Sequence, residues 1–187
     1  MALFGLADLQ AGQRVLVHGA AGGVGNFAVQ LAHWKGAHVI GTASFNNMEF
    51  VRALGAEIVI DYNTTPFEQV AHDVDVVVDP IGGQTQDRSW PLIKPGGVLV
   101  AIGHPPAEEM AAQHRVRTAS TVLDQQVPPG LSTGPLQEIS ALIESGLLLP
   151  QPGKVFPLEE AAQAQAFSET GHGRGRIVLH IAEERKN

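Results

Sequence analysis

Short apolar runs alternate with helix-period patterns along most of the chain. The runs are nearly continuous stretches of Val, Ile and Leu, which is typical of strands that are buried on both faces of a parallel sheet. The predicted strands are Arg14–Gly19, His38–Thr42, Glu57–Asp61, Val74–Asp79, Gly97–Gly103 and Val116–Leu123. The predicted helices between them are Gly23–Lys35, Asn47–Leu54, Thr65–His72 and Gln84–Ile93. This alternation predicts an α/β fold with a doubly wound parallel sheet, in the strand order 3-2-1-4-5-6.

The remaining segments are less regular. Pro95–Gly97 is predicted as a turn before the fifth strand, and Asp124–Pro135 as a loop, because both are rich in Pro and Gly. A β-α-β pattern closes the chain, so we divide it into a domain at 1–150 and a C-terminal segment at 151–187. The further predicted elements are helices at Ala107–Gln113, Leu136–Ser145 and Leu158–Glu169 and strands at Lys154–Pro157 and Arg176–Ile181.

A glycine cluster joins the first predicted strand to the first predicted helix, over Gly19–Gly25. Only glycine lets the backbone turn tightly while leaving room for a pyrophosphate, and the helix start offers N–H groups and a positive dipole end to that anion. Ala20 stands where the motif G-x-G-x-x-G has its first glycine, so we expect Gly19 to make the turn one residue earlier. We interpret the cluster as a dinucleotide-binding turn. The alternative is a turn that serves only helix–strand packing.

The end of the second predicted strand indicates which dinucleotide binds. An NAD site usually carries Asp or Glu there, bonded to the ribose 2′-hydroxyl, but this chain has Ser44. Ser44, Asn46 and Asn47 are able to donate hydrogen bonds to a 2′-phosphate, so the pocket favours NADP(H) over NAD(H). Tyr62, after the third strand, is expected near the same end of the cofactor. The alternatives are a helix cap at Ser44 and a half-buried surface tyrosine at Tyr62.

Composition narrows the function classes. The 187 residues carry a net charge of −7, which argues against a nucleic-acid partner, and there is no cysteine for a disulfide or a thiolate metal site. No apolar stretch is long enough to span a bilayer, and the first residues lack the basic start of a signal peptide, so we expect no membrane partner and a cytoplasmic location. The eight histidines are scattered without metal-ligand spacing, so no metal site is predicted.

No catalytic acid or base is identified from the residues. His104 follows the fifth predicted strand, where substrate crevices form, but it has no recognisable partner. The single tyrosine, Tyr62, has Pro66 four positions later, which excludes the Tyr-x-x-x-Lys pair of short-chain reductases. The chain also lacks a Gly-x-Ser-x-Gly elbow, so hydrolase chemistry has no nucleophile.

Motifs along nearly the whole chain resemble the medium-chain dehydrogenase/reductase superfamily. Within it they are similar to the zinc-free quinone oxidoreductase branch, which includes the reticulon-4-interacting-protein-like reductases. The matching stretches are Gly19–Gly25 with Ala28–Ala32, Gly41–Ser44, Leu54–Ala56, Ile60–Tyr62, Asp79–Gly83, Leu92–Gly97, Val155–Ala161 and Gly171–Leu179.

The resemblance implies a set of cofactor contacts. Gly22, Gly23 and Val24, with Ala21 beside them, are expected to bind the pyrophosphate. Ser44 and Tyr62 are expected to hold the 2′-phosphate end. The nicotinamide-side crevice is expected to be lined by Asp79, Ile81, Ile102 and Gly103, at the ends of the fourth and fifth strands.

The same resemblance implies a second domain. Such enzymes begin with a GroES-like catalytic domain, and here Ala2–Leu9 resembles the helix that leads from it into the cofactor domain. Residues 151–187 resemble the segment that returns to complete that catalytic domain, which we expect to be missing from this chain. Arg174 and Arg176 are interpreted as ordinary surface charges, with a phosphate contact as the alternative.

The sequence therefore predicts the NADP(H)-binding part of an oxidoreductase. In an intact relative, hydride passes from the nicotinamide to a small-molecule acceptor, a quinone or an activated alkene such as an enone. The alternative is a non-catalytic module that binds a dinucleotide or dimerises. Because the sixth strand forms an open sheet edge, a homodimer through that edge is expected.

Overall fold

Six parallel strands form the central sheet of the protein. The computed structural model describes residues 7–120, 133–171 and 173–181. The strands run in the order β3-β2-β1-β4-β5-β6, so the predicted doubly wound, Rossmann-type order is confirmed. Their bounds are β1 (Arg14–Val17), β2 (His38–Ala43), β3 (Ile58–Asp61), β4 (Val74–Asp79), β5 (Ile93–Ala101) and β6 (Arg117–Ser120).

Both faces of the sheet are covered, as the continuous apolar runs predicted. Val15 and Val17 of β1 point into one core, with Ala28, Val29 and Ala32 of the first helix, and Leu16 points into the other, with Phe67 and Trp90. Burial of both faces explains why the strands carry no polar alternation. The helices are α1 (Gly25–Trp34), α2 (Met48–Ala53), α3 (Gln84–Ser89), α4 (Glu108–His114), α5 (Thr133–Glu144) and α6 (Ala161–Glu169).

The helix predicted at Thr65–His72 is wrong. The segment contains a single 3-10 turn, Phe67–Gln69. Pro66 precedes it with an extended ψ of 122°, and Asp73 at its end has a left-handed φ of 51°. Pro66 has no N–H to donate and the left-handed Asp73 ends the segment, so only one turn forms between them, and it buries the ring of Phe67.

The helix predicted at Gln84–Ile93 ends early. α3 stops at Ser89, a 3-10 turn covers Trp90–Leu92, and β5 begins at Ile93. Pro91 has no N–H to continue the α-helical bonds, which explains the change. The predicted turn at Pro95–Gly97 is instead an irregularity within β5, where the pairing with β4 shifts between Val74 and Val76.

The C-terminal segment forms the predicted β-α-β unit. β7 (Pro152–Pro157) and β8 (Arg176–His180) pair in parallel, and α6 lies between them in the chain. The helix predicted at Leu136–Ser145 is α5, which starts earlier, at Thr133, and so includes the end of the predicted loop Asp124–Pro135. The rest of that loop, the end of the sixth predicted strand and most of the predicted helix Ala2–Leu9 lie outside the described residues.

Candidate functional site

A cavity of about 510 Å³ opens where the strands β1 to β4 end. In doubly wound sheets, ligands bind outside the carboxyl ends of the strands, at the point where the strand order reverses, which here lies between β1 and β4. Of the residues expected to bind the cofactor, those that line the cavity are Ala21, Gly22, Gly23, Val24, Ser44, Tyr62 and Ile81. Asp79, Ile102 and Gly103 are not among its lining residues.

The glycine turn is held by backbone and side-chain hydrogen bonds to β2. The N–H of Gly19 donates to Oγ1 of Thr42 at 3.2 Å, and the N–H of Ala20 donates to the Thr42 carbonyl at 2.9 Å. Gly19 has a left-handed φ of 55°, which confirms that it makes the turn in place of Ala20. The turn then closes through a bond from the N–H of Gly22 to the Gly19 carbonyl at 2.9 Å.

Gly25, the first residue of α1, is required by a close approach of the backbone. A Cβ at this position would press on the Gly19 carbonyl oxygen and lie 2.8 Å from the Cα of Ala20. Gly25 is therefore the glycine that lets helix α1 start directly against the turn, as the third glycine of the dinucleotide motif does.

Arg176 of β8 lies against the same turn. A Cβ at Gly23 would be 2.9 Å from both Cδ and Nε of Arg176, so the arginine side chain lies flat over this glycine. The backbone is joined as well, because the N–H of Gly175 donates to the Ala21 carbonyl at 2.8 Å and Gly175 forms a parallel bridge with Gly22. Arg176 is exposed, as a surface charge would be, and it also lies beside the expected pyrophosphate site, as the alternative of a phosphate contact requires.

Arg174 lies beside Asn47, which lines the cavity just after the end of β2. Its Nε lies 3.4 Å from Oδ1 of Asn47, and its guanidinium stacks over the ring of Phe50 at 4.9 Å. Nδ2 of Asn47 in turn donates to Oγ of Ser44 at 3.2 Å. Ser44 makes no side-chain capping bond to the turn that follows it. A hydroxyl, an amide and a guanidinium therefore meet at the position where the sequence lacks the acid of an NAD site.

Asp79 is fully buried at the end of β4. Its Oδ1 accepts hydrogen bonds from the N–H groups of Ile81 and Gly82, each at 2.9 Å, and Oδ2 accepts from Nε2 of Gln86 at 3.3 Å. These bonds occupy the carboxyl group, so Asp79 shapes the loop that presents Ile81 to the cavity.

The other residues expected near the nicotinamide lie beside this loop. The N–H of Ile102 donates to the Asp79 carbonyl at 2.9 Å, and Gly103 follows with a φ of 90°. The ring of His104 packs on Gly82, where any Cβ would collide with it. At the far side, Tyr62 is 54% exposed and its N–H donates to the Ala43 carbonyl at 3.2 Å.

A buried histidine connects the turn to the opposite face of the sheet. Nε2 of His18 lies 2.9 Å from Oγ of Ser89, and Nδ1 lies 3.3 Å from Oγ1 of Thr42. The ring also packs edge-on against Phe67, with centroids 4.7 Å apart. Burial lowers the pKa of His18 to about 4, against the opposing effect of the Asp79 charge, so the imidazole is neutral near pH 7.

Sequence reasoning missed part of the cavity wall. The residues not anticipated there include His18, Thr65, Phe67, Thr85, Arg88, Gly171 and Gly173. Thr85 and Arg88 lie on the helix that follows β4, so the rule that ligands bind beyond strand ends was a usable signal for them. Gly171 and Gly173 reach the cavity only through the tertiary fold.

The described residues contain neither a candidate metal-ion cluster nor a helix that could span a membrane. Over residues 7–120, 133–171 and 173–181, no group of three or more His, Cys, Asp or Glu residues is arranged to hold a metal ion. No helix in that part of the chain has both the length and the apolar character needed to cross a membrane.

Known proteins resemble this chain in sequence and in fold. The profile of a family described as zinc-binding dehydrogenase matches residues 54–179. An NAD(P)H oxidoreductase of Danio rerio, RTN4IP1, a mitochondrial protein, is 31% identical over 96% of this chain and 52% of its own length. An NADPH-dependent alkenal/one oxidoreductase of Arabidopsis thaliana, a chloroplastic protein, is 35% identical over 92% of this chain and 42% of its own length.

A solved structure shows the same fold. The quinone oxidoreductase of Coxiella burnetii superposes with a TM-score of 0.85 at 33% identity, over 96% of this chain and 56% of its own. The chain thus spans about half the length of the relatives that it matches. The Danio rerio and Arabidopsis thaliana relatives are named as mitochondrial and chloroplastic proteins. The cytoplasmic location expected from the sequence therefore stays a prediction.

Proposed function

We propose that this chain, which belongs to the zinc-binding dehydrogenase family of the medium-chain dehydrogenase/reductase superfamily, binds NADP(H) along the carboxyl edge of its sheet. The observation that carries the proposal is that the glycine turn and the Ser44–Asn47 pair line one cavity, and that two arginines of the C-terminal segment lie against these lining residues. When bound, the cofactor supplies a hydride from its nicotinamide ring.

The glycine turn and Arg176 fit the pyrophosphate. The turn leaves space where side chains would otherwise stand, and the start of α1 directs backbone N–H groups and the positive end of the helix dipole toward it. Arg176, lying over Gly23, adds a full positive charge to this partial one. We propose that Ala21, Gly22, Gly23 and Val24 hold the pyrophosphate on the cavity side of the turn, with Arg176 beside it.

Ser44, Asn47 and Arg174 fit the 2′-phosphate of NADP(H). The serine hydroxyl and asparagine amide provide hydrogen-bond donors, and the guanidinium of Arg174 provides the charge that the local sequence lacked. A 2′-hydroxyl would not need this charge, which is why we propose NADP(H) rather than NAD(H). The name of the Arabidopsis relative, an NADPH-dependent oxidoreductase, supports this preference.

We propose a quinone or an activated alkene as the hydride acceptor, following the names of the relatives. The acceptor would approach the nicotinamide beside the loop after β4, where Asp79 sets the position of Ile81, and beside Ile102 and Gly103. In this arrangement the described residues bind and orient the cofactor. A catalytic acid or base is not assigned to any of them.

We propose that the segment at 151–187 packs against a catalytic domain, as the resemblance implied. Val155 and Val178 lie in register on β7 and β8 and are 53% and 39% exposed, and Leu158 and Ile181 nearby are 47% and 75% exposed. Exposed apolar side chains grouped in this way are typical of an interface. Residues 1–150 then form the cofactor-binding domain, and the C-terminal segment adds Arg174 and Arg176 to its site.

We also propose a homodimer through β6. Among the described strands β6 pairs only with β5, so its outer edge is available for pairing with a second copy. Light scattering coupled to size exclusion tests this directly. A monomeric mass at micromolar concentration would remove the proposal of a dimer without affecting that of cofactor binding.

Thermal unfolding with and without ligand tests the central proposal. A ligand at one hundred times its Kd stabilises the folded state by about 2.7 kcal/mol, which corresponds to a rise in Tm of roughly 5 to 10 °C for a chain of this size. NADPH is expected to give this rise and NADH a smaller one at the same concentration. Arg176→Ala should reduce the NADPH effect, whereas the charge-matched control Arg117→Ala, on β6, should not.

The absence of any rise with NADPH in the unmodified chain would refute the proposal. If NADPH binds but is not oxidised in the presence of a simple quinone, the chain acts as a dinucleotide-binding module, the alternative expected from the sequence. Steady-state absorbance of NADPH distinguishes these two outcomes.

A further inference from the structure

Arg88 lines the cofactor cavity, although neither phosphate site includes it. It lies on α3, and its side chain is 47% exposed. Its Nη2 donates to Oε2 of Glu68 at 2.6 Å, and its Nε donates to Oε1 of the same carboxylate. This paired hydrogen bond lowers the pKa of Glu68 and raises that of Arg88, so both groups stay charged at neutral pH.

The two hydrogen bonds to the Glu68 carboxylate fix one edge of the guanidinium and leave its two faces open to other contacts. One face lies over the ring of Phe67, with Cζ at 4.6 Å from the ring centroid. The side chain as a whole is 47% exposed, and Arg88 is among the residues that line the cavity. Stacking on an aromatic ring and a bidentate carboxylate together hold a guanidinium in one plane, a role that Lys is unable to fill.

The plane is anchored to the glycine turn through buried residues. Phe67 is 4% exposed and packs edge-on against His18, and His18 bonds to Ser89 on α3 and to Thr42 on β2. Thr42 in turn holds the N–H of Gly19. The guanidinium of Arg88 is therefore fixed relative to the turn that would receive the pyrophosphate.

The charge around Arg88 indicates what it binds. A phosphate placed there would face the carboxylate of Glu68, which occupies two of the guanidinium N–H groups and repels a second anion. A planar, uncharged ring system has no such conflict, and arginine faces stack well on aromatic rings. The pyrophosphate is already assigned to Gly19–Gly25 and the 2′-phosphate to Ser44. The planar group that remains in the adenosine half of the dinucleotide is the adenine ring.

We propose that Arg88 is a cofactor-binding residue whose guanidinium face, backed by Phe67 and Glu68, stacks on the adenine ring of the cofactor. This inference rests on the proposed binding of NADP(H). It assigns a role that differs from those of Arg174 and Arg176, because Arg88 contacts the base and not a phosphate.

Three ligands separate the possible contacts: NADPH, NADH, and reduced nicotinamide mononucleotide, which lacks the adenosine. Titration calorimetry on the full chain is expected to show that Arg88→Ala lowers the affinities for NADPH and for NADH by the same factor, about tenfold. The affinity for the mononucleotide should not change. Arg88→Lys should lose most of the same affinity, because it keeps the charge without the plane. Arg117→Ala is the control for loss of one positive charge.

Each other outcome has a definite meaning. If Arg88→Ala lowers the affinity for NADPH but not for NADH, Arg88 binds the 2′-phosphate and the inference is overturned. If both dinucleotides bind the variant as they bind the unmodified chain, the inference is overturned as well. If the unmodified chain binds neither dinucleotide, the proposed function itself fails. Thermal melts without ligand show whether each variant is folded. If Arg88→Ala does not fold, Arg88→Lys provides the test.

Discussion

Nε of Arg174 lies 3.4 Å from Oδ1 of Asn47, although the two residues are 127 positions apart. Asn47 bonds to Ser44, so the guanidinium stands beside the residue that replaces the acid of an NAD site. The C-terminal segment thereby brings a positive charge to a pocket whose own segment, 44–48, has none.

Arg174→Ala is expected to weaken NADPH binding about tenfold and to leave NADH binding nearly unchanged, because in the proposed site only the 2′-phosphate would contact this charge. Titration of nicotinamide fluorescence for the two cofactors measures the ratio. Arg117→Ala serves as the control for loss of the same charge. An equal loss for both cofactors would show that Arg174 acts on something other than the 2′-phosphate.

Ser44→Asp should reverse the preference of the pocket. The new carboxylate would accept hydrogen bonds from a ribose 2′-hydroxyl and repel a 2′-phosphate, so the NADPH-to-NADH affinity ratio should fall at least about tenfold. Ser44→Ala, which removes the hydroxyl without adding charge, should change the ratio much less. If Ser44→Asp keeps the original ratio, the assignment of Ser44 to the 2′-phosphate is incorrect.

Gly23→Ala and Gly25→Ala should differ although the glycines are two positions apart. A Cβ at Gly25 meets backbone atoms of Gly19 and Ala20, which are unable to move aside, so we expect a loss of roughly 3 kcal/mol in the free energy of unfolding. A Cβ at Gly23 meets only the flexible side chain of Arg176, so stability should hold while NADPH affinity falls. Urea unfolding and calorimetry measure the two effects. Equal losses of stability would contradict this distinction.

His18 predicts a pH dependence of stability. Its pKa is lowered from 6.5 to about 4 in the folded state, so the unfolded chain binds a proton between these values that the folded chain does not bind. Stability should therefore fall as the pH decreases from 6.5 toward 4, by up to about 3 kcal/mol from this group, and its contribution should be constant above pH 6.5.

The measurement is the urea midpoint between pH 4 and pH 7, compared with that of His18→Gln. The variant retains hydrogen-bonding groups for Ser89 and Thr42 but has no proton to gain, so its slope in this range should be shallower. Identical slopes would mean that other groups cause the pH dependence.

The central sheet was predictable because its signals are local. Continuous apolar runs, the glycine cluster and the alternation of elements determine β1 to β6 and their order. The helix predicted at Thr65–His72 failed because Pro66 and the left-handed Asp73 outweigh a weak helical pattern. Because a helix was predicted over this segment, neither the position of Phe67 nor the stacking of the Arg88 guanidinium on its ring was predicted.

The sequence by itself determined the fold class, the glycine turn and the missing acid at Ser44, since each depends on residues that are close in the chain. Only the tertiary structure decided what completes the site. Arg174 and Arg176 approach Asn47 and Gly23 because Gly175 bonds to the Ala21 carbonyl, and Asp79 is occupied by its own loop. Contacts between residues more than a hundred positions apart arise when the chain packs, and the pattern of apolar and polar positions alone does not specify them.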